Sequence, residues 1–437
     1  MKRILSLTLS TLVMLAFLAS PALADFSLSL NDMYAGSANP VVVVDGRGMV
    51  STDTIGLLFG ADVAVDNGRV TVLENDKKLV MDVDSLEASL NGAPLTLSIA
   101  PQEIDNRVML PLSSVCEALG ASLNYIPERA RINVVYKETR NDLSPQEVME
   151  KYMKEYQSLN TYSFKGSQDI IMNMEASGLP AGSPGQMTMK IAEKLNGSFS
   201  QNPIQAYMNL NIKMDSEALA AAGPAVTDQT MEIIMTEDQM YMKMPDGQWV
   251  EMDLGGFNLK GLMQSQGSLQ DLQAMVAELQ KNHVIMSFDN DQKRKGEDYW
   301  VISSTIDTET FSSIFKSVTD QMSGIMPAMT ASDNREFQNV MSQLMEDLKL
   351  NMTMKIWVDP DTYLARYGEG IMDMQMSIAI PAQENGNAGM LNMNMHGISS
   401  LEYYDYGAEV ILPNINQAIS FDKYIQQQAL PAAGLIG

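Results

Sequence analysis

Thioethers dominate the chemistry open to this chain. Its 437 residues include 36 methionines but only one cysteine and two histidines, His283 and His396. In Met372-Asp373-Met374-Gln375-Met376 and Met390-Leu391-Asn392-Met393-Asn394-Met395-His396, sulfur atoms stand two residues apart and one imidazole adjoins the second set. Soft thioethers beside an imidazole suit Cu(I). Alternation is also how a strand with one apolar face is written, and His283 has no comparable neighbourhood, so packing accounts for the same residues without a metal. A third use is a deformable pocket wall, because an unbranched, polarisable side chain repacks around apolar ligands of varied shape. The residues assigned to that wall are Met174, Met189, Met235, Met242, Met354 and Met374, flanked by Trp249 and Trp357.

Other chemistry finds less support. Asp289/Asp291 and Asp359/Asp361 have a spacing seen in calcium loops, but Lys293 stands where a further oxygen ligand belongs and Asp359-Pro360-Asp361 is a good hairpin turn. Both pairs read as turns. No Gly-rich phosphate loop, nucleophile elbow, HExxH or CxxC motif occurs. No catalytic residue, metal ligand or cofactor is therefore assigned. Cys116 has no neighbouring histidine or basic cluster to lower its pKa, and it reads as a quiet residue on an apolar helix face. A lone cysteine also excludes an internal disulfide.

The elements that carry these methionines are strands. In Met231 to Leu254, MEIIMTEDQMYMKMPDGQWVEMDL, apolar residues recur at every second position through two turns, Glu237-Asp238 and Pro245-Asp246-Gly247. That is an antiparallel meander with one apolar face. The grammar returns at Ile170 to Met174, Met187 to Ile191, Met208 to Met214, Met352 to Val358, Met372 to Ile380 and Met390 to Met395, which predicts one large methionine-faced sheet. Three segments with helical periodicity interrupt it: Ser268 to Lys281, Phe311 to Met326 and Asp333 to Leu348. Each carries an apolar stripe, and the sheet face is the expected cover, with Asp333 to Leu348 as a lid. A further helix starts at Ser144-Pro145-Gln146-Glu147, a cap with proline in the first turn, and places Val148, Tyr152 and Tyr156 on one stripe.

Residues 1–24 read as a secretory signal peptide cleaved after Ala24: Lys2-Arg3, an apolar run, then Ala22-Leu23-Ala24. No other stretch has the length of unbroken apolar residues that spans a bilayer, so no transmembrane span is expected in the mature chain. The net charge of -25 and the pI of about 4.4 repel nucleic acid and anionic headgroups, and no nucleic-acid partner is expected.

Length predicts two domains. In residues 25–138, Met49 to Val72 can be laid over Met109 to Val134, with Gly60-Ala61 matching Gly120-Ala121. Each copy reads as a short helix, a terminating glycine and a hairpin. Val43-Val44-Asp45-Gly46, Leu90-Asn91-Gly92-Ala93-Pro94, Asn106 to Leu112 and Glu117-Ala118-Leu119-Gly120-Ala121 resemble the copper amine oxidase amino-terminal-like domain of secreted Gram-positive proteins. That resemblance implies a stalk or interaction module docking on a cell-envelope component. The oxidase machinery of three histidines and an Asn-Tyr-Asp/Glu tyrosine is missing, because the chain has two histidines and Glu402-Tyr403-Tyr404-Asp405 lacks the asparagine. Ser51-Thr52 departs from the family pattern, where a proline is expected.

Residues 139–146 read as a linker, 147–425 as the methionine-rich body and 426–437 as a flexible tail. Leu159 to Gly166, Met240 to Met252 and Met354 to Arg366 resemble the lipoprotein-carrier superfamily, and more closely an uncharacterised secreted or lipoprotein family with that fold. The resemblance implies an α+β open antiparallel half-barrel capped by helices over an apolar cavity. It departs from the anchored relatives in lacking a lipobox cysteine. The function expected is a secreted envelope protein holding an apolar or lipid-like ligand without catalysis. A ligand-free structural role and a Cu(I)-binding role are the alternatives.

Overall fold

The computed structural model describes residues 26–36, 39–127, 130–177, 185–216, 228–252, 284–312, 347–380 and 389–428. They fall in two compact units, 1–137 and 138–437, and the stretch 1–24 read as a signal peptide lies outside the described residues.

The first unit is built on the internal repeat. Strand Arg47–Ser51 feeds helix Thr52–Phe59, and strand Arg107–Pro111 feeds helix Leu112–Leu119. Each helix stops at a glycine in the left-handed region, Gly60 at φ 61° and Gly120 at φ 83°, a conformation that costs other residues steric strain. A hairpin follows each: Asp62–Asp66 with Arg69–Glu74, and Ser122–Ile126 with Arg131–Val135. The two equivalent strands pair antiparallel, Met109 opposite Ser51 and Pro111 opposite Met49, which brings the copies together around Ile55, Leu58, Phe59, Val115 and Leu119, all fully buried. The departure at Ser51 is functional locally. Its Oγ accepts from the Thr54 N–H as an N-cap, a bond that the proline of the second copy cannot make.

The second unit opens with helix α1 (Pro145–Ser158), closed at its start by a reciprocal capping box between Ser144 and Glu147. The strands follow: β1 (Thr161–Ala176), β2 (Gln186–Gln201), β3 (Ile204–Ser216), β4 (Asp228–Thr236), β5 (Met240–Lys243), β6 (Trp249–Met252), β7 (Ile285–Arg294), β8 (Glu297–Asp307), β9 (Lys349–Val358), β10 (Ala365–Ile380), β11 (Gly389–Tyr404) and β12 (Ile419–Ser420), then helix α2 (Phe421–Gln428). They make one open twelve-stranded sheet in the order β7-β8-β9-β10-β11-β1-β2-β3-β4-β5-β6-β12. All neighbours are antiparallel except β6 and β12. Both units combine helices with sheet, the α+β class expected.

Strands β1, β2, β10 and β11 are 16 residues each, longer than their methionine alternation. Residues such as Gly166-Ser167-Gln168-Asp169 break the pattern without breaking the ladder, because pairing on both sides holds them extended. The core of this unit sits where α1 crosses β7 to β9: Val148 packs with Met286, Phe288, Trp300, Ile302 and Val358.

Three expectations need correcting. Residues 139–146, read as a linker, are tied into the second unit: the Arg140 guanidinium bonds the Asp291 carboxylate at 3.0 Å, pairs with Glu138 and stacks 4.7 Å above the Phe288 ring, Leu143 joins the core, and Pro145 and Gln146 belong to α1. Asp289 and Asp291 lie within β7 at a bulge, not in a turn; Asp289 is buried and paired with Lys355. Helix α2 runs to Gln428, three residues into the stretch read as tail. Asp359 does form a turn, its carboxylate accepting from the N–H groups of Asp361 and Thr362 at 2.9 Å. The three segments read as helical from their periodicity fall almost wholly within 253–283 and 313–346, which lie outside the described residues. A helix does begin at 308–312, with Asp307 capping the Thr310 N–H at 2.9 Å.

Candidate ligand-binding face

Ladder register decides which side chains share a face, because directly opposed residues point the same way. Met189 lies opposite Met172, Met172 opposite Met395, and Met395 opposite Met374. One step along, Met187, Met174, Met393 and Met376 form a second row across the same strands. Eight thioethers thus occupy adjoining positions on β2, β1, β11 and β10, at strand spacings of about 5 Å. They are half-buried, while the alternate residues of those strand segments, such as Asn173, Glu175, Asp373 and Gln375, are exposed.

The six assigned methionines all fall on this face. Met174, Met189 and Met374 belong to the eight-residue block. Met354 lies opposite Gly370 of β10, itself on the same face. Met235 lies opposite Ala206 and Met240, and Met242 opposite Ile233 and Val250, which carries the face across β3 to β6.

The two tryptophans lie on the other side. Trp249 pairs with Lys243, out of phase with Met242, and packs with Ile234 and Tyr241. Trp357 pairs with Tyr367 and Val301, packs with Tyr299, and carries the Arg294 guanidinium 3.7 Å above its ring. The expectation that these indoles flank a methionine-lined pocket is corrected: a strand turns successive residues to opposite faces, and each Trp sits one residue out of phase. The same rule separates the imidazole from the thioethers. His396 faces away from Met393 and Met395, and its Nδ1 meets the Asp373 carboxylate at 2.7 Å. The Cu(I) alternative loses its nitrogen ligand. Among the described residues no group of three or more His, Cys, Asp or Glu side chains is placed to hold a metal ion.

One end of the face is closed by aromatic rings. Tyr162, Phe164, Phe199 and Tyr403 project from β1, β2 and β11, and Tyr152 and Tyr156 descend onto them from α1. The Tyr156 hydroxyl donates to that of Tyr162 at 2.6 Å. Burial raises every phenol of this set that shifts, Tyr403 to about 12, so they serve as neutral packing and hydrogen-bonding groups. Arg366 stacks 4.9 Å from the Tyr406 ring at the margin of this cluster, and its Nε is buried without a hydrogen-bond partner.

Sequence reasoning missed the polar interruption of the face. Gln168 lies opposite both Glu193 and Ser399, and Ser399 opposite Gly370, so a row of polar and glycine residues crosses the sheet between the aromatic end and the methionine block. Its only signal in the sequence is the lapse of apolar alternation in each long strand.

Comparison with known proteins agrees with the two-unit division. The model of the copper amine oxidase N-terminal domain matches residues 30–134, within the first unit. No curated protein matches the chain. Solved structures similar to it include the Mycobacterium tuberculosis lipoprotein LppX, at 10% identity and TM-score 0.28, covering 62% of this chain and 98% of that one. They also include LprF from Mycobacterium bovis, at 13% identity and TM-score 0.27, covering 62% and 96%. Over residues 144–415, from the Ser144 cap of α1 through the whole methionine-faced ladder to the segment beyond β11, the chain matches the model of a family of unknown function, DUF6612, and belongs to that family.

Proposed function

We propose that this is an exported, non-catalytic protein of the cell envelope that holds an apolar or lipid-like ligand on its methionine face, with the first unit docking on an envelope component. One observation carries the reading: methionines from β1 to β6 and β9 to β11 fall on a single side of the sheet, and a half-buried thioether surface of that breadth suits apolar ligands of varied shape. Residues Met174, Met189, Met235, Met242, Met354 and Met374 are its proposed contacts. Among the described residues no helix is long and apolar enough to cross a membrane.

The test is to purify the protein from its native envelope and analyse organic extracts by mass spectrometry, alongside Met242→Trp. On a ligand surface the larger ring displaces ligand and costs little stability. In a close-packed core it costs roughly 1 to 3 kcal/mol through overpacking. A large stability loss, with no lipid in the wild-type extract, would leave a ligand-free structural role.

A further inference from the structure

We propose that the methionine face carries a head-group site centred on Glu193, and that its occupant is an amphiphile with a cationic amine head. The inference rests on reading that face as the surface for an apolar ligand, and it adds the chemistry of the ligand's polar end.

Glu193 is the one carboxylate. On this face of β1 to β4 and β9 to β11 the described residues are Met, Ile, Leu, Val, Ala, Gly, Phe, Tyr, Gln and Ser, with two charged side chains, Glu193 in the polar row and Arg366 at the aromatic end. Its in-register neighbours are Gln168 and Ile212, and Ile191 and Leu195 flank it along β2. The carboxylate is half-buried, and no described residue bonds or ion-pairs with it. Holding an anion on an apolar surface is costly unless a cation or hydrogen-bond donors meet it. The neighbouring Gln168 amide adds a donor and an acceptor, and Ser399 continues the polar row.

Space beside this row points the same way. Gly368, Gly370 and Gly397 lie on the same face of β10 and β11, one row or less from the polar residues. A Cβ built on Gly368 would meet nothing nearer than 3.9 Å, and one on Gly397 nothing nearer than 3.6 Å, so backbone crowding does not require glycine at either position. Glycine inside a strand weakens it, and it recurs where a ligand or another backbone approaches closely. A side chain is missing but would fit at Gly368, whereas at Gly370 the place of a Cβ is taken by the Ser399 hydroxyl 2.7 Å away and Gly397 is buried against Met372 and Ile170. From Glu193 to the row of Met187 is six residues of strand, about 20 Å. That exceeds the hydrocarbon depth of one bilayer leaflet, about 15 Å, so a fatty chain anchored at Glu193 can lie along the whole eight-methionine block. A cationic head also suits the chain's net charge of -25, which draws cations and repels fatty acids.

The experiment uses the full chain and a neutral fluorescent probe, N-phenyl-1-naphthylamine, displaced by hexadecylamine, hexadecanol or palmitate. The wild type should bind the probe and release it to hexadecylamine at roughly a tenth or less of the hexadecanol concentration, with palmitate weakest. Glu193→Gln should keep probe binding while the amine preference shrinks to about twofold or less. Glu175→Gln, exposed on the opposite face, should retain the full preference. Probe binding with equal displacement by amine and alcohol would overturn the head-group site and spare the apolar surface. So would a preference that survives Glu193→Gln, since bulk charge would then explain it. Failure of the wild type to bind the probe at all would overturn the apolar-surface reading beneath it, as expected if a segment of the chain itself fills the face.

Discussion

Cys116 illustrates how position overrides residue type. Its helix turns it into the core of the first unit, 1% exposed, and burial pushes the thiol up to about 12. At pH 8 iodoacetamide should leave the native protein unmodified and alkylate it fully once denatured, as read by intact mass; rapid labelling of folded protein would contradict the packing. Two carboxylates behave oppositely. Glu232 is held below the ordinary range by the hydrogen bond from Lys243, whose Nζ lies at 2.6 Å, and Glu402 by those from Lys295 at 2.6 Å and Lys165 at 3.2 Å. A depressed folded-state pKa contributes stability that is complete above the unfolded value of about 4.3 and is lost as pH falls through the folded value. The melting temperature should therefore hold from pH 7 to about 5 and decline below. Replacing both residues with glutamine should lower the melting temperature at pH 7 and flatten that acid decline; an unchanged pH profile would remove these pairs from the account.

Elements owe their geometry here to a few local devices. The α1 capping box satisfies the Glu147 N–H through the Ser144 side chain and the Ser144 N–H through the Glu147 carboxylate, 2.8 Å away. Ser144→Ala should cost about 1 kcal/mol in a denaturant titration. The loss should be felt at Val148, which α1 drives into the main core. Glycines within the long strands make a sharper comparison. At Gly166 a Cβ would run into the Ser400 carbonyl of the neighbouring strand, whereas at Gly368 the same atom would make only ordinary van der Waals contacts, the nearest with Leu401 at 3.9 Å. Gly166→Ala should cost roughly 1 to 3 kcal/mol by forcing the strands apart, while Gly368→Ala should be neutral or slightly stabilising. Equal effects at the two positions would mean that the strand spacing is not what selects glycine.

At the scale of the whole molecule, the segment after the first unit is the place where a protease would be expected to enter, and the geometry argues otherwise. Arg140 is the natural tryptic target there, yet its side chain is 13% exposed and tied to Glu138 and Asp291. A protease needs several residues of unpaired, mobile backbone around the bond it cuts. Here the Arg140 and Leu143 main chains also bond each other in both directions, at 2.9 and 3.0 Å. Trypsin should therefore cut elsewhere before Arg140, and Asp291→Ala should accelerate cleavage at that bond. First cleavage at Arg140 in the wild type, mapped by mass spectrometry of early fragments, would restore a loose link. A fragment beginning at Glu138 should remain folded, and one beginning at Gln146 should be less stable because it loses the Arg140 bonds and the Leu143 contact.

Period decided most of what could be read from the sequence alone. Methionine at every second residue obliges a one-sided strand, a helix followed by glycine and a hairpin repeats in the first unit, and Ser-Pro-x-Glu starts α1; each is written within a few neighbouring residues. The membership of the methionine face also followed, since all six assigned methionines share the parity of their strands. What period cannot carry is register between strands. It took the ladder to align eight thioethers in two rows, to turn Trp249, Trp357 and His396 to the opposite side, and to line up Glu193, Gln168 and Ser399 from three strands separated by as many as 231 residues. Arg140 tells the same story: among its neighbours in sequence it is a charge in a polar stretch, and its role was set by Asp291 and Phe288, 151 and 148 residues away. Local preference is a property of a residue and its near neighbours, whereas a pairing partner is chosen by the free energy of the whole sheet.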